Sequence, residues 1–264
     1  MNLHTFAICA YKDSPYLEAC IRSLKAQTVP SDIILCTSTP SSYIEHLADW
    51  YEIPLFVREG ESDIQEDWNF AYDQAKTEWV TIAHQDDMYR KEYTRYLLKA
   101  YETYQDLSVF MGNCIIVKNN QPQKPDKVAL VKKLLRLPLR NPKRNHRTRI
   151  KRRALLLGNP VICPSCAYHK TMLPKKLFDS QFKFALDWDT MLKLAEMPGR
   201  FYCEERPVMY YRIHDGATTK ECIVDHRRAK EEEEMFAKIW PKPVVRLLMR
   251  YYKKAYDSYD ETKI

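Results

Sequence analysis

The first ninety residues alternate short apolar runs with stretches of helical period, and that order admits few folds. Residues 3–10 (LHTFAICA), 32–37 (DIILCT), 53–57 (IPLFV) and 78–83 (EWVTIA) read as strands. Helical segments between strands favour parallel pairing, because parallel neighbours need a long crossover while antiparallel ones can be joined by a tight turn. Ser14 has the chemistry of a helix cap and Pro15 fits the first helical position, ahead of Leu17, Cys20, Ile21 and Leu24 on one face. Ser62 and Gln65 have capping-box spacing before a second helix carrying Ile64, Trp68, Ala71, Tyr72 and Ala75. The fold expected is α/β, with a mostly parallel central sheet flanked by helices.

The second half is less regular. Residues 108–117 (SVFMGNCIIV) predict a fifth strand, residues 187–197 a helix, and RFYCEE and PVMYYRIH two extended segments, with helices from about Asp225 onward. Between residues 118 and 153 stand fourteen Lys or Arg and one acid, a net +13 that leaves −6 for the rest of a chain carrying +7. The expected organisation is therefore an α/β half (1–117), a basic amphipathic insertion (118–153), a second half of the same domain (154–220) and a helical C-terminal extension (221–264).

No apolar run approaches the ~20 residues that cross a bilayer, and the N-terminus lacks a basic region followed by an apolar stretch and cleavage site. A cytoplasmic location is the expectation. Eight cysteines scattered through apparent strands and helices suit reduced core thiols, and Cys163 and Cys166, a lone CxxC with only His169 nearby, suit packing better than zinc.

Chemistry concentrates at three places. His84-Gln85-Asp86-Asp87 follows the apolar strand 78–83, at the edge where open parallel sheets bind ligands. Adjacent carboxylates repel, and a divalent cation with oxygen ligands, Mn²⁺ or Mg²⁺, is a physical reason to keep both. Taken alone the pair also fits a solvated turn capping a helix near Arg90. Asp187 and Asp189 open a helix, where an acid can serve as general base or simply complement the helix dipole. Arg212 and His214 end an apolar strand and are able to hold a diphosphate or complete a metal shell.

The segments FAICAYKDSPYLEACIRSLKAQT, WNFAYDQAKTEWVTIAHQDD, FALDWDTMLKLAE and YYRIHDGATT, in this order across about residues 3–220, resemble the family 2 glycosyltransferases of the GT-A (Rossmann-like) fold. That resemblance implies an inverting, metal-assisted transferase. It puts Ala10 and Tyr11 at the nucleotide base and ribose, Asn69 beside the nucleotide, Asp86 at the ribose or bridging to the metal, and Asp87 as principal metal ligand. It makes Asp187 the base that deprotonates the acceptor hydroxyl, and places Arg212 and His214 in the loop over the diphosphate. The pattern departs at His84, which stands for the first acid of a DxD motif, at Leu186, which often is Glu, and at CTSTPS, where Thr37 or Ser38 replaces an acid that contacts the base.

The implied donor is a nucleoside-diphosphate sugar, UDP-linked by preference, and the implied acceptor a glycan or lipid-linked glycan. Residues 128–157 interleave Leu and Val with Lys and Arg, a composition suited to an anionic membrane surface, which would make the protein peripheral on the inner face of the plasma membrane. Nucleic acid is not expected, since this stretch has no aromatic residue to stack on bases. A nucleotidyltransferase is disfavoured by the absence of a Gly-rich loop after the first strand. A degenerate, non-catalytic sugar-nucleotide or lipid binder would lack the carboxylates this chain retains.

Overall fold

The structure, a computed structural model, describes residues 2–214 and 227–257. The DGATT stretch expected after His214, the expected helix start at Asp225, and Cys222 lie outside them. Four strands, β1 (His4–Ala10), β2 (Asp32–Thr37), β3 (Leu55–Val57) and β4 (Trp79–His84), pair in parallel in the order β3-β2-β1-β4. The sheet continues through β8 (Cys166–His169), β6 (Leu107–Lys118), β9 (Arg200–Ile213) and β5 (Met88–Tyr89), with β7 (Gln121–Pro122) beside β6. Its long pairings are parallel, including β6 with β9, and the antiparallel ones are short.

Period-two alternation sends strand residues to both faces. Phe6 and Ile8 enter one buried cluster with α1 (Leu17–Lys25), α2 (Ser42–Trp50) and α4 (Tyr93–Thr103). Ala7, Val80 and Ile82 enter the other, with α3 (Ile64–Gln74), α6 (Thr148–Leu155), α7 (Leu186–Glu196), α8 (Arg227–Ile239) and α9 (Lys242–Asp257). The result is a three-layer α/β sandwich. Because β1 is flanked by β2 and β4, the strand order reverses at β1, the position in open α/β sheets where ligands bind beyond the carboxyl ends of the strands.

Several local expectations are corrected. Helix α1 starts at Leu17 with no side-chain cap; the Ser14 hydroxyl instead donates to Asp86 Oδ1 at 2.9 Å. Asp63, not Ser62, caps α3 by accepting from the Gln65 and Glu66 N–H groups, while Ser62 donates to Asp67. Helix α2, capped by Ser41, fills the crossover that the sequence pattern left unassigned. RFYCEE and PVMYYRIH form one strand, which absorbs Pro207 where the pairing register with β6 shifts.

The basic segment is built into the fold. It holds α5 (Lys127–Leu135), a 3₁₀ turn (Leu137–Arg140) and α6. Lys151 is fully buried, its ammonium donating to the Met197 and Gly199 carbonyls just past the C-terminus of α7. Arg136 is buried as well, bonded to Pro160 O and Asn113 Oδ1.

Candidate active site

The end of β1 carries Ala10, buried, and Tyr11, whose ring is exposed. Gln85 clamps the Tyr11 backbone from both sides: its Oε1 accepts the Tyr11 N–H at 3.0 Å and its Nε2 donates to the Tyr11 carbonyl at 2.9 Å. The next residue, Lys12, has φ +52° and donates its N–H to Thr39 Oγ1 at 2.7 Å. Thr37, buried at the end of β2, accepts the Thr39 N–H at 3.0 Å. Three strand ends are thus tied into one rim.

At the end of β4 the chain turns tightly, with the Asp87 N–H donating to the His84 carbonyl. His84 packs its ring on Trp68, and burial pulls its pKa down to about 4, so a neutral imidazole stands where the resembled motif has an acid. The two aspartates then differ sharply. Asp86 is part-exposed, accepts from Ser14, and has Oδ2 3.2 Å from His214 Nε2. Asp87 is 2% exposed. Its Oδ1 accepts the Arg212 N–H at 2.9 Å, and its Oδ2 has no hydrogen-bond partner.

Arg212 crosses from β9 to close the turn. Its Nε donates to the Asp86 carbonyl at 2.9 Å, its Nη1 to Asn120 Oδ1 at 2.6 Å, and its guanidinium lies 4.4 Å from the Tyr16 ring centre. His214 packs on the same ring. Asn69, on α3, bonds the Phe178 backbone with both ends of its amide and so anchors the segment that leads to α7.

Burial and the neighbouring Asp86 charge push the Asp87 carboxyl from 3.8 up to about 8, against the opposing pull of Arg212. The native protein therefore keeps this proton up to about pH 8, whereas the unfolded chain releases it near 4. Stability from this group is present at low pH and is lost as pH climbs between those values. In metal-free protein, Asp87→Asn is expected to gain several degrees in Tm relative to wild type between pH 4 and pH 8, by calorimetry at each pH. Parallel pH profiles for the two proteins would show that Asp87 is not the titrating group.

Asp187 lies in the first turn of α7, part-exposed. Its Oδ2 accepts from Asn159 Nδ2 at 3.0 Å and its Oδ1 accepts the Trp188 N–H at 2.8 Å. Burial raises its pKa, and the nearby Lys132 ammonium and the two hydrogen bonds only partly offset that. Asp189, two residues on, is held by Lys238 and Lys193, which together outweigh burial and pull its pKa down. The start of α7 is fixed by Glu231 of α8, whose carboxylate accepts the N–H groups of Lys183, Phe184 and Ala185.

Tyr16, Asn120, Asn159 and Glu231 are site or supporting residues that the sequence pattern did not single out, and Gln85 and Ser14 hold the site in roles it did not assign them. Among the described residues no cluster of three or more His, Cys, Asp or Glu is arranged as a metal cage. The seven described cysteines are free thiols.

Residues 5–178 match the family described as Glycosyl transferase family 2. Residues 1–349 of S. aureus TarS in complex with UDP-GlcNAc superpose with a TM-score of 0.65 at 16% identity, over 100% of this chain and 74% of that one. The mannosyltransferase PcManGT from Pyrobaculum calidifontis, in complex with GDP-Man and Mn²⁺, gives 0.64 at 17%, over 93% and 68%. Glucosyl-3-phosphoglycerate synthase from Mycobacterium tuberculosis gives 0.54 at 11%, over 81% and 73%. No curated protein sequence matches.

Proposed function

Because the chain belongs to glycosyl transferase family 2, we propose that it moves a sugar from a nucleoside-diphosphate donor, UDP-linked by preference, to an acceptor hydroxyl with inversion at the anomeric carbon. The observation that carries this reading is the presence of two acidic centres held by different partners. Asp86 sits at the strand-order reversal beside Arg212 and His214, and Asp187 stands at a helix start with its pKa raised. The neighbours solved with UDP-GlcNAc and with GDP-Man and Mn²⁺ support a sugar-nucleotide donor.

The donor set fits a divalent cation. Asp86 Oδ2 and His214 Nε2 lie side by side at 3.2 Å, the imidazole nitrogen makes no hydrogen bond, and Asp87 leaves a buried oxygen unpaired behind them. Mg²⁺ and Mn²⁺ sites commonly take one or two carboxylates and complete the shell with substrate phosphates, so a protein cage is not required. The sequence pattern favours Asp87 as the principal ligand. The exposure of Asp86 and the burial of Asp87 favour Asp86 with His214, leaving Asp87 as the support that fixes β9 to the turn. When bound, the cation would offset the charge that develops on the departing diphosphate.

The chain's own residues supply the rest. Ala10, Tyr11 and Thr37 form the rim for the nucleoside, set by Gln85, and Asn69 fixes the segment at Phe178. Arg212 holds the Asp86 carbonyl and adds positive charge beside the diphosphate position. Asp187 takes the acceptor proton as the acceptor oxygen bonds to the anomeric carbon and the bond to the diphosphate oxygen breaks. A carboxylate with a raised pKa is the stronger base, and Asn159 and the Trp188 N–H orient it.

A panel of UDP-, GDP-, dTDP- and CDP-sugars with Mn²⁺ or Mg²⁺, scored by thermal shift and released nucleotide, tests the reading. One donor class is expected to raise Tm by about 5 to 10 °C at a hundredfold excess over its Kd, in the presence of metal. The reading falls if no donor shifts Tm and none is turned over.

A further inference from the structure

Helix α5 turns a row of apolar side chains to solvent while Val128, Lys132 and Leu135 on its other side are half-buried. Its inner face carries Lys132, whose ammonium donates to the Val161 carbonyl at 2.6 Å, and just past its end Arg136 is bonded to Pro160 O and Asn113 Oδ1. Its outer face presents Leu130, Val131 and Leu134, at 57%, 49% and 55% exposure, with Leu137 exposed beyond its end. These positions fall at helical spacing on one side, opposite half-buried Lys132 and buried Arg136. Water favours the reverse arrangement, in which leucine is covered and lysine solvated. The hydrogen bonds of Lys132 and Arg136 fix the rotation of the helix, so the apolar ridge is held outward.

The ridge does not stand alone. Leu135 of α5 and Tyr252 of α9 both close on Gly158, whose φ of +145° no side chain would tolerate comfortably, and Tyr252 Oη donates to the Leu157 carbonyl. Leu157 itself is exposed, and α9 exposes Leu247 and Tyr251 with Arg246 and Arg250 among them. Exposed Lys127 and Lys133 lie on α5, and Lys143, Arg144, Arg147, Arg149 and Arg153 follow within the segment that carries +13. Among the described residues no helix is long and apolar enough to cross a membrane.

We propose that the outer face of α5, with the Leu157 and α9 side chains beside it, seats on an anionic bilayer and that the acceptor hydroxyl is presented to Asp187 from that bilayer. Apolar side chains entering the headgroup boundary and cations over anionic lipid are the two forces that hold a helix on a membrane surface, and this face combines both. The same helix is tied to the base by hydrogen bonds: Lys132 donates to the Val161 carbonyl, the Val161 N–H donates to Asn159 Oδ1, and Asn159 Nδ2 donates to Asp187 Oδ2. The acceptor class that follows is an amphiphile whose hydroxyl lies close to the lipid headgroups. The acceptor part of this inference rests on the transferase reading above; the docking part does not.

The test uses the full chain in flotation with phosphatidylcholine vesicles, with and without about 30 mol% phosphatidylglycerol. Wild type is expected to float with the anionic vesicles alone. The double variant Leu130→Ser, Leu134→Ser is expected to lose at least about tenfold in partitioning, from the apolar area withdrawn from the headgroup boundary. Both side chains are exposed, so Tm and donor turnover measured without vesicles are expected to match wild type. Turnover absent from both proteins would sink the transferase reading and leave docking standing. Equal flotation of variant and wild type, no flotation of wild type, or a wild-type dimer in light scattering that the variant abolishes would each overturn the docking proposal.

Discussion

Asp187→Asn is expected to lower the transfer rate by at least about a hundredfold while donor affinity and Tm stay near wild-type values. The substitution keeps an oxygen that can accept the Trp188 N–H but removes the charge that takes the proton. The affected parameter should be kcat, because the deprotonated oxygen matters only as the new bond forms. In wild type, the acidic limb of the pH profile should lie above the ordinary aspartate range, since burial raises the Asp187 pKa. Asp189→Asn serves as the contrast. Its carboxylate is spent on Lys238 and Lys193, so the loss should appear in Tm before it appears in kcat. Near wild-type transfer by Asp187→Asn would remove it as the base.

The second large effect concerns the Asp86-Asp87 pair, whose members are expected to separate. Asp86→Asn should abolish the metal-dependent part of the donor thermal shift and reduce kcat/KM by about two to three orders of magnitude, as loss of an electrostatic stabiliser of a leaving group does. Asp87→Asn should retain most of the metal-dependent shift, because Asn Oδ1 can still accept the Arg212 N–H that closes the turn. Isothermal titration of Mn²⁺ with the donor present reads both. If Asp87→Asn loses metal binding and Asp86→Asn keeps it, the ligand assignment is reversed.

Much of the first half of the fold was legible because its strands are apolar runs bounded by turns. The strand-end position of Asp86 and Asp87 follows from the same runs. Segments shaped by distant partners were not legible. Ser14 has the local chemistry of a helix cap, yet its hydroxyl is claimed by a carboxylate 72 positions away. Residues 166–169 form a four-residue buried strand that reads as the tail of a CxxC. Pro207 splits the pattern of β9, while the structure lodges it at a register shift.

The site shows the same division. Residue types and order pointed to Asp187, but its environment comes from Asn159, 28 positions earlier, and from Glu231 on α8, which no periodicity signals. The unequal roles of Asp86 and Asp87 depend on which carboxylate the β9 backbone covers. That is a property of the closed sheet and not of the adjacent pair.

Helix α7 is fastened at its start by Glu231 and at its end by Lys151, one from the C-terminal helices and one from the basic segment. The two segments most easily dismissed as decoration are therefore the bearings between which Asp187 is mounted. A minimal catalytic fragment cannot be cut from this chain by trimming either of them, and grafting new acceptor-binding surfaces onto the scaffold would have to leave both attachment points in place.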